Sequence, residues 1–451
     1  MIATSFVLYL GLVGIIGWMA WQRTRDMSDY LLGGRRIGPW VAALSAGASD
    51  MSGWLLLGLP GLAVSQPAAA AWTAAGLLAG TWCNWRFVAR PLRETSAALG
   101  ALTVPAFFAQ RFPSHGRWLR AVTALTIVVF FLLYTSAGLV AGGKLFNTVF
   151  DLPYAPAVLL GASIILLYTL FGGFLAVAWT DALQAMMMSA ALLAVSVLLW
   201  HDGGTPASSA GGSVGPLAAL SALAWGLGYF GQPHILARFM ALADGARVAS
   251  ARRIGVAWSA LGLFTAVAIG VGGAGLAGVT ADPERVFIIA VEAELAPWLA
   301  GGCLAAILAA VMSTADSQLL VTAAALAEDL LPLAGGAARD EAARLAAGRI
   351  AVCVAALIAC AIALDPDAGV FDLVARAWAG FGATLGPTLL VALHQRRPSG
   401  IGALGGMLAG GLTVLAWPAL PQSGYGIYEL LPAFAVALGT NLALNRWYRC
   451  D

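Results

Sequence analysis

The sequence predicts an all-α integral membrane protein of about thirteen spans, its core built as two inverted five-helix repeats. Three observations carry that prediction. First, 60% of the 451 residues are hydrophobic and only 10% are charged, where a soluble domain carries roughly a quarter. Second, many apolar runs approach or reach the ~20 residues that cross a bilayer core, and basic residues fall in alternate gaps between them. Third, two runs lying five spans apart are interrupted by glycine, serine or proline where an ordinary membrane helix is continuous.

The runs are 4–21, 39–64, 68–90, 121–147, 156–172, 176–200, 215–237, 256–279, 300–325, 350–364, 370–394, 401–417 and 430–447. Basic loops stay on the cytoplasmic side. Arg23, Arg25, Arg35 and Arg36 follow the first run; Arg86, Arg90, Arg93, Arg111, Arg117 and Arg120 bracket the gap after the third; Arg238, Arg247, Arg252 and Arg253 follow the seventh. Arg339, Arg344, Arg349, Arg396, Arg397, Arg446 and Arg449 continue the alternation. The pattern requires an odd number of spans, with the N-terminus outside and the C-terminus in the cytoplasm. The first run has no basic residue before it and no small-residue cleavage pattern after it, so it reads as a retained span. Glycine and serine in 201–214 suit a flexible external loop, and 337–344 is the nearest thing to a charged linker. Residues 1–451 therefore read as a single membrane domain with no soluble domain attached.

The interrupted runs hold Ser45, Gly47, Ser49, Asp50, Ser52 and Gly53 in the second span, and Gly226, Gly228, Gly231 and Pro233 in the seventh. Such breaks free backbone carbonyls and amides, which is tolerated only where protein or a ligand satisfies them. In inverted repeats the two broken helices meet at the bilayer midplane and build the substrate and ion sites. The reading thus moves from membrane protein to secondary transporter.

Asp50 lies near the middle of its span, where an ionised carboxylate costs at least ~2.5 kcal/mol, and intramembrane charge marks function unless it merely caps a helix. Nearby serine oxygens suit a hard cation such as sodium. In the ninth span Ala310, Ser313, Thr314 and Ser317 share one helix face, either as ion ligands or as glue between helices. Trp54, Tyr134, Trp225 and Tyr229 sit in or near the breaks, where they either enclose a small zwitterion or pack the core. His234 reads as structural and Lys144 as an interfacial anchor. A net charge of +2 without a basic patch excludes nucleic acid. Five cysteines without CxxC spacing give no disulfide framework or zinc site, and no catalytic constellation or phosphate loop points to an enzyme.

Three stretches decide the family: 44–56 around Ser-Ala-Gly-Ala-Ser-Asp-Met-Ser-Gly-Trp, 226–240 around Gly-Tyr-Phe-Gly-Gln-Pro-His, and Ile307 to Thr314. With 172–181 and 377–382 they closely resemble bacterial, proline-carrying members of the sodium/solute symporter family. The resemblance implies a LeuT-like fold, with one extra helix before a ten-helix core at 39–394 and two helices, 401–447, after it. It implies uptake of L-proline coupled to sodium across the bacterial plasma (inner) membrane, with no obligatory protein partner. By position it implies a sodium site from the backbone carbonyls of Ala48, Met51 and Ala310 and the hydroxyls of Ser313 and Thr314, supported by Asp50. Proline recognition falls to Ser52, Trp54, Gly58, Tyr134, Trp225, Tyr229 and Pro233.

A second sodium site is expected from Asp181 with Ser313, Asp316 and Ser317, because two unpaired carboxylates in a low-dielectric setting repel unless a cation or proton lies between them. Two other functions stay open: a sodium symporter for another small amino acid or a carboxylate, and a membrane sensor that binds proline without moving it.

Overall fold

The computed structural model describes residues 2–23, 27–201, 214–336, 341–365, 369–420 and 426–448. Most of the loop 201–214, half of the linker 337–344, and Arg25, Arg339 and Arg449 lie outside the described residues. The described chain is helical, with one isolated parallel bridge between Ile37 and Leu242.

Helix α1 (Ile2–Trp21) and the short α2 (Met27–Leu32) precede α3 (Pro39–Asp50), which starts on a proline at its first position. That helix ends at Met51 (φ −86, ψ 76). After Ser52 and Gly53 the chain resumes as a π-helical stretch, Trp54–Gly58, that runs into α4 (Leu59–Ser65). Next come α5 (Pro67–Cys83), α6 (Ala89–Leu99), α7 (Val104–Arg111) and the long α8 (Gly116–Phe150). Helix α9 (Tyr154–His201) holds two expected spans joined at Gly173 (φ 64, ψ 175), a left-handed conformation that favours glycine. The chain reverses there. The Tyr154 hydroxyl donates to the Ala363 carbonyl and the Trp200 indole to that of Ala268, both toward the same end of the bundle.

The second break has a different form. Helix α10 (Pro216–Leu223) passes into a 3-10 stretch, Ala224–Gly231, and then into α11 (Pro233–Ala241). A 3-10 run of this length is uncommon and marks strain or a hinge. Gly226 within it lies directly against the backbone of Gly76 and Gly80 on α5, an approach that any Cβ would block. Helices α12 (Val248–Gly273), α13 (Val286–Glu294), α14 (Pro297–Ala324), α15 (Leu331–Leu333), α16 (Glu341–Ala363), α17 (Val370–His394), α18 (Gly400–Ala416) and α19 (Leu430–Trp447) complete the chain.

Among the described residues, seven helices are long and apolar enough to cross a membrane, and three apolar stretches are shorter, Trp54–Ser65, Tyr154–Leu166 and Pro216–Gly231. Two of the short ones belong to the interrupted helices, because a break divides a span into pieces that each fall below crossing length.

Arginines collect at one end of the bundle. Arg35 donates to the carbonyls of Ser96, Ala101 and Met240, Arg93 to Leu242, and Arg120 pairs with buried Asp329 at 2.6 Å. At the opposite end Lys144 is not an interfacial anchor but a buried ion-pair partner, 2.7 Å from Glu284 and 3.1 Å from Asp282. Glu284 in turn accepts the N–H groups of Val370 and Phe371, where the first turn of α17 has free donors.

Candidate functional site

The break in α3 exposes the main-chain carbonyl of Asp50, and two side chains take it up. The Tyr134 hydroxyl donates to it at 2.8 Å and the Trp54 indole N–H at 2.9 Å. The same indole lies 3.1 Å from the Tyr134 oxygen, so Asp50, Trp54 and Tyr134 form one closed group. The Asp50 side chain, 2% exposed, points elsewhere: Oδ2 accepts the Tyr229 hydroxyl at 2.6 Å. Among the described residues its Oδ1 has no hydrogen-bond partner, and Asp50 lines a small cavity with Thr81, Asn84, Tyr229 and Ser259. Asn84 donates to the Tyr229 carbonyl at 2.9 Å, so α5 and its extension brace both breaks.

On the other side of α3, the Ser313 hydroxyl of α14 donates to the Ala48 carbonyl at 2.9 Å and the Thr314 hydroxyl to the same oxygen at 3.4 Å. Ser313 also lies 3.0 Å from the Ala310 carbonyl. The carbonyls of Ala48 and Ala310 and the two hydroxyls thus gather where the expected sodium ligands were placed. Met51 is fully buried at the last turn of α3.

The aromatic residues form a second layer. Trp225 stacks on Tyr428 at 4.9 Å and 19° and meets Phe371 at 4.8 Å. Phe371 packs against Gly58, where a Cβ would meet both Phe371 and Trp54. Trp378 donates its indole N–H to the Trp225 carbonyl at 2.7 Å and meets Tyr229 edge-on at 5.0 Å. With the Ser52 hydroxyl accepting the Trp54 backbone N–H at 3.4 Å, Ser52, Trp54, Gly58, Tyr134, Trp225 and Tyr229 are brought together. Pro233 stands apart, opening α11 and lining a cavity with Phe174, Ala237, Met240 and Leu320. His234 packs beside Phe131 and Tyr134, and among the described residues neither ring nitrogen has a hydrogen-bond partner.

Asp181, Asp316 and Ser317 also converge, on a group that the alternation of basic gaps places after the seventh span. Arg238 is no flanking basic residue: α11 continues to Ala241, which holds this arginine inside the bundle at 1% exposure. Its Nη2 lies 2.9 Å from Asp181 Oδ2 and 2.5 Å from the Ser317 hydroxyl, and its Nε donates to Ser45 at 3.0 Å. The Ser45 hydroxyl donates onward to Asp181 Oδ2 at 2.6 Å, and the guanidinium lies over the Phe174 ring. Beside this group Gln184 donates to Tyr9 of α1 at 2.7 Å.

The sodium:solute symporter family model matches residues 30–213 and 210–410. The chain belongs to this family. It is 44% identical to the sodium/proline symporter of Escherichia coli (strain K12), over 96% of this chain and 90% of that protein. It is 42% identical to the high-affinity proline transporter PutP of Bacillus subtilis (strain 168), over 94% of this chain and 93% of that one. Among solved structures, a Na+-coupled sialic acid symporter in its substrate-bound outward-open state superposes with a TM-score of 0.79 at 15% identity, over 99% of this chain and 98% of that one. The closed, bromovinylhydantoin-bound Mhp1, a nucleobase-cation-symport-1 family transporter, gives 0.60 at 13% identity, over 94% and 96%. Both neighbours are LeuT-like transporters, so the fold is that of a multi-pass helical transporter. As a family member the protein couples solute uptake to sodium.

Thr81, Asn84, Arg238, Phe371, Trp378 and Tyr428 are site residues that sequence reasoning did not assign. Arg238 and Trp378 lie within stretches that carried the family resemblance; the other four lie outside every motif.

Proposed function

We propose that this protein carries L-proline inward across the bacterial inner membrane, each entry coupled to sodium. The observation that carries this reading is the meeting of Ser313 and Thr314 with the Ala48 carbonyl, beside a helix break closed by Trp54 and Tyr134. Hydroxyls aimed at a carbonyl are oxygen ligands already turned toward one another, the donor set a hard cation takes. Ala48, Met51, Ala310, Ser313 and Thr314 hold sodium in this reading, and Asp50 supplies negative charge nearby. Ser52 and the freed N–H groups at the break take the proline carboxylate, since half-helix starts favour anions. Trp54, Gly58, Tyr134, Trp225 and Tyr229 enclose the ring, and Pro233 sets the start of α11 at the inner side. The proposed organisation is about thirteen spans, with the N-terminus outside and the C-terminus inside; α1 precedes a core at 39–394, and 401–447 follow it.

The test is uptake of labelled L-proline into proteoliposomes under an inward sodium gradient. Accumulation that disappears in choline and that proline alone competes away is expected. Competition by another amino acid or a carboxylate reassigns the substrate. Proline binding without accumulation identifies a sensor.

A further inference from the structure

Sodium in the proposed site would join Ala48 on α3 to Ser313 on α14. One helical turn away on each helix stand Ser45 and Ser317, and they too are joined, by the guanidinium of Arg238. This second joint has the composition of a cation site: two hydroxyls, the carboxylate of Asp181, and Asp316 adjoining through Ser317 at 3.3 Å. The cation in it is covalently part of the protein.

We infer that Arg238 is a tethered second cation, which balances Asp181, fastens α11 to α3 and α14, and so limits the transporter to one bound sodium. The inference rests on the sodium-coupled reading above, not on which solute is carried. Two buried carboxylates demand a positive charge or a proton between them. The charged or titratable side chains around this point are Asp181, Asp316, Arg238, His234 and Tyr9 of α1, so among the described residues the guanidinium is the one permanent positive charge in the cluster. Its hydrogen bonds run to α3 through Ser45, to α9 through Asp181, to α14 through Ser317 and to its own helix through the His234 carbonyl. The planar fork of arginine suits this branching, which the compact ammonium of lysine matches only in charge. Among the described residues, Asp181 Oδ1 and Asp316 Oδ2 have no hydrogen-bond partner. Both carboxylates therefore keep an oxygen with which to ligate a mobile cation once the guanidinium is removed.

The experiment counts radiolabelled sodium bound per purified protein at saturation, which needs no transport and no knowledge of the solute. The unaltered protein is expected to bind one sodium and Arg238→Gln two, with the Hill coefficient for sodium-driven uptake moving from about 1 toward about 2. Arg238→Lys, which keeps the charge, should hold the count at one. The double variant Arg238→Gln with Asp181→Asn, which removes the charge and its partner together, should also return it to one. Two sodium ions on the unaltered protein overturn the inference, as does a count of one in folded Arg238→Gln. If Arg238→Gln fails to fold, a double variant that binds two overturns it and one that binds one supports it. Absence of any saturable sodium binding to the unaltered protein refutes the sodium-coupled reading instead.

Discussion

The hydroxyl of Tyr229 donates to Asp50 Oδ2 at 2.6 Å, and this bond joins the two interrupted helices directly. Tyr229 lies in the 3-10 stretch of one break and Asp50 at the end of α3 in the other. Any ligand that moves one of these residues acts on the other. Asp50 stands on α3 between Ala48, which Ser313 approaches, and Trp54, which closes against Tyr134. The ion and solute groups are therefore neighbours along a single stretch of backbone.

Removing that bond is the first test. Tyr229→Phe keeps the ring against Trp378 and deletes only the donor to Asp50. A hydrogen bond to a charged group contributes about 1.5–3 kcal/mol, so the sodium concentration for half-maximal proline uptake should rise about 10- to 100-fold. An unchanged sodium response in a folded, transporting variant would separate Asp50 from the ion.

The sodium ligands give a second prediction. Ser313→Ala takes away the hydroxyl nearest the Ala48 carbonyl, 2.9 Å against 3.4 Å for Thr314. Ser313→Ala and Thr314→Ala should both need more sodium for half-maximal uptake, by about tenfold, with the larger change at Ser313. Saturable binding of labelled sodium to purified protein reads this directly, and equal affinity in Ser313→Ala would remove it from the ligand set.

Sodium and solute should also bind with positive coupling. An ion that orders the stretch from Ala48 to Gly53 prepares Ser52 and Trp54 for the solute, and linkage makes the effect reciprocal. Calorimetric titration with proline should give a tighter dissociation constant in sodium than in choline buffer. Equal constants in the two buffers would leave the break in α3 without a part in coupling.

The helical architecture and both breaks were legible in the sequence, because a bilayer imposes a length and an apolar composition on every span, and glycine and proline stand out against it. The strip Ala310, Ser313, Thr314 and Ser317 was legible from helical spacing alone. Arg238 was not. A charge near the end of an apolar run reads as a loop residue, and only the continuation of α11 to Ala241 carries it into the bundle, opposite Asp181. Lys144 was misread for the same reason, since its partners Asp282 and Glu284 lie far along the chain. Phe371 and Tyr428 are long-range neighbours of Trp225, and nothing in their own surroundings in the sequence marks them as such.

Those two rings lead to the last prediction. Trp225 lies between them, stacked on Tyr428 and tilted against Phe371, and Phe371 reaches Gly58 beside Trp54. Trp225→Ala removes the middle ring, and a buried aromatic contributes about 0.5–1.5 kcal/mol in ring pairing beyond the apolar area it covers. The solute side of the site should loosen, while Ala48, Ser313 and Thr314, whose hydrogen bonds run to one another, keep their arrangement. Proline affinity in saturating sodium is expected to fall by about tenfold or more, with sodium binding in the absence of solute changed by less than about threefold. Tyr428→Phe is the companion variant: it keeps the stacked ring and loses only the hydroxyl bond to the Ala375 carbonyl at 2.6 Å. It should retain far more proline affinity than Trp225→Ala if stacking is what matters. Equal losses in the two variants would assign the effect to the anchoring of Tyr428 on α17, and unchanged proline affinity in Trp225→Ala would take the aromatic layer out of solute recognition.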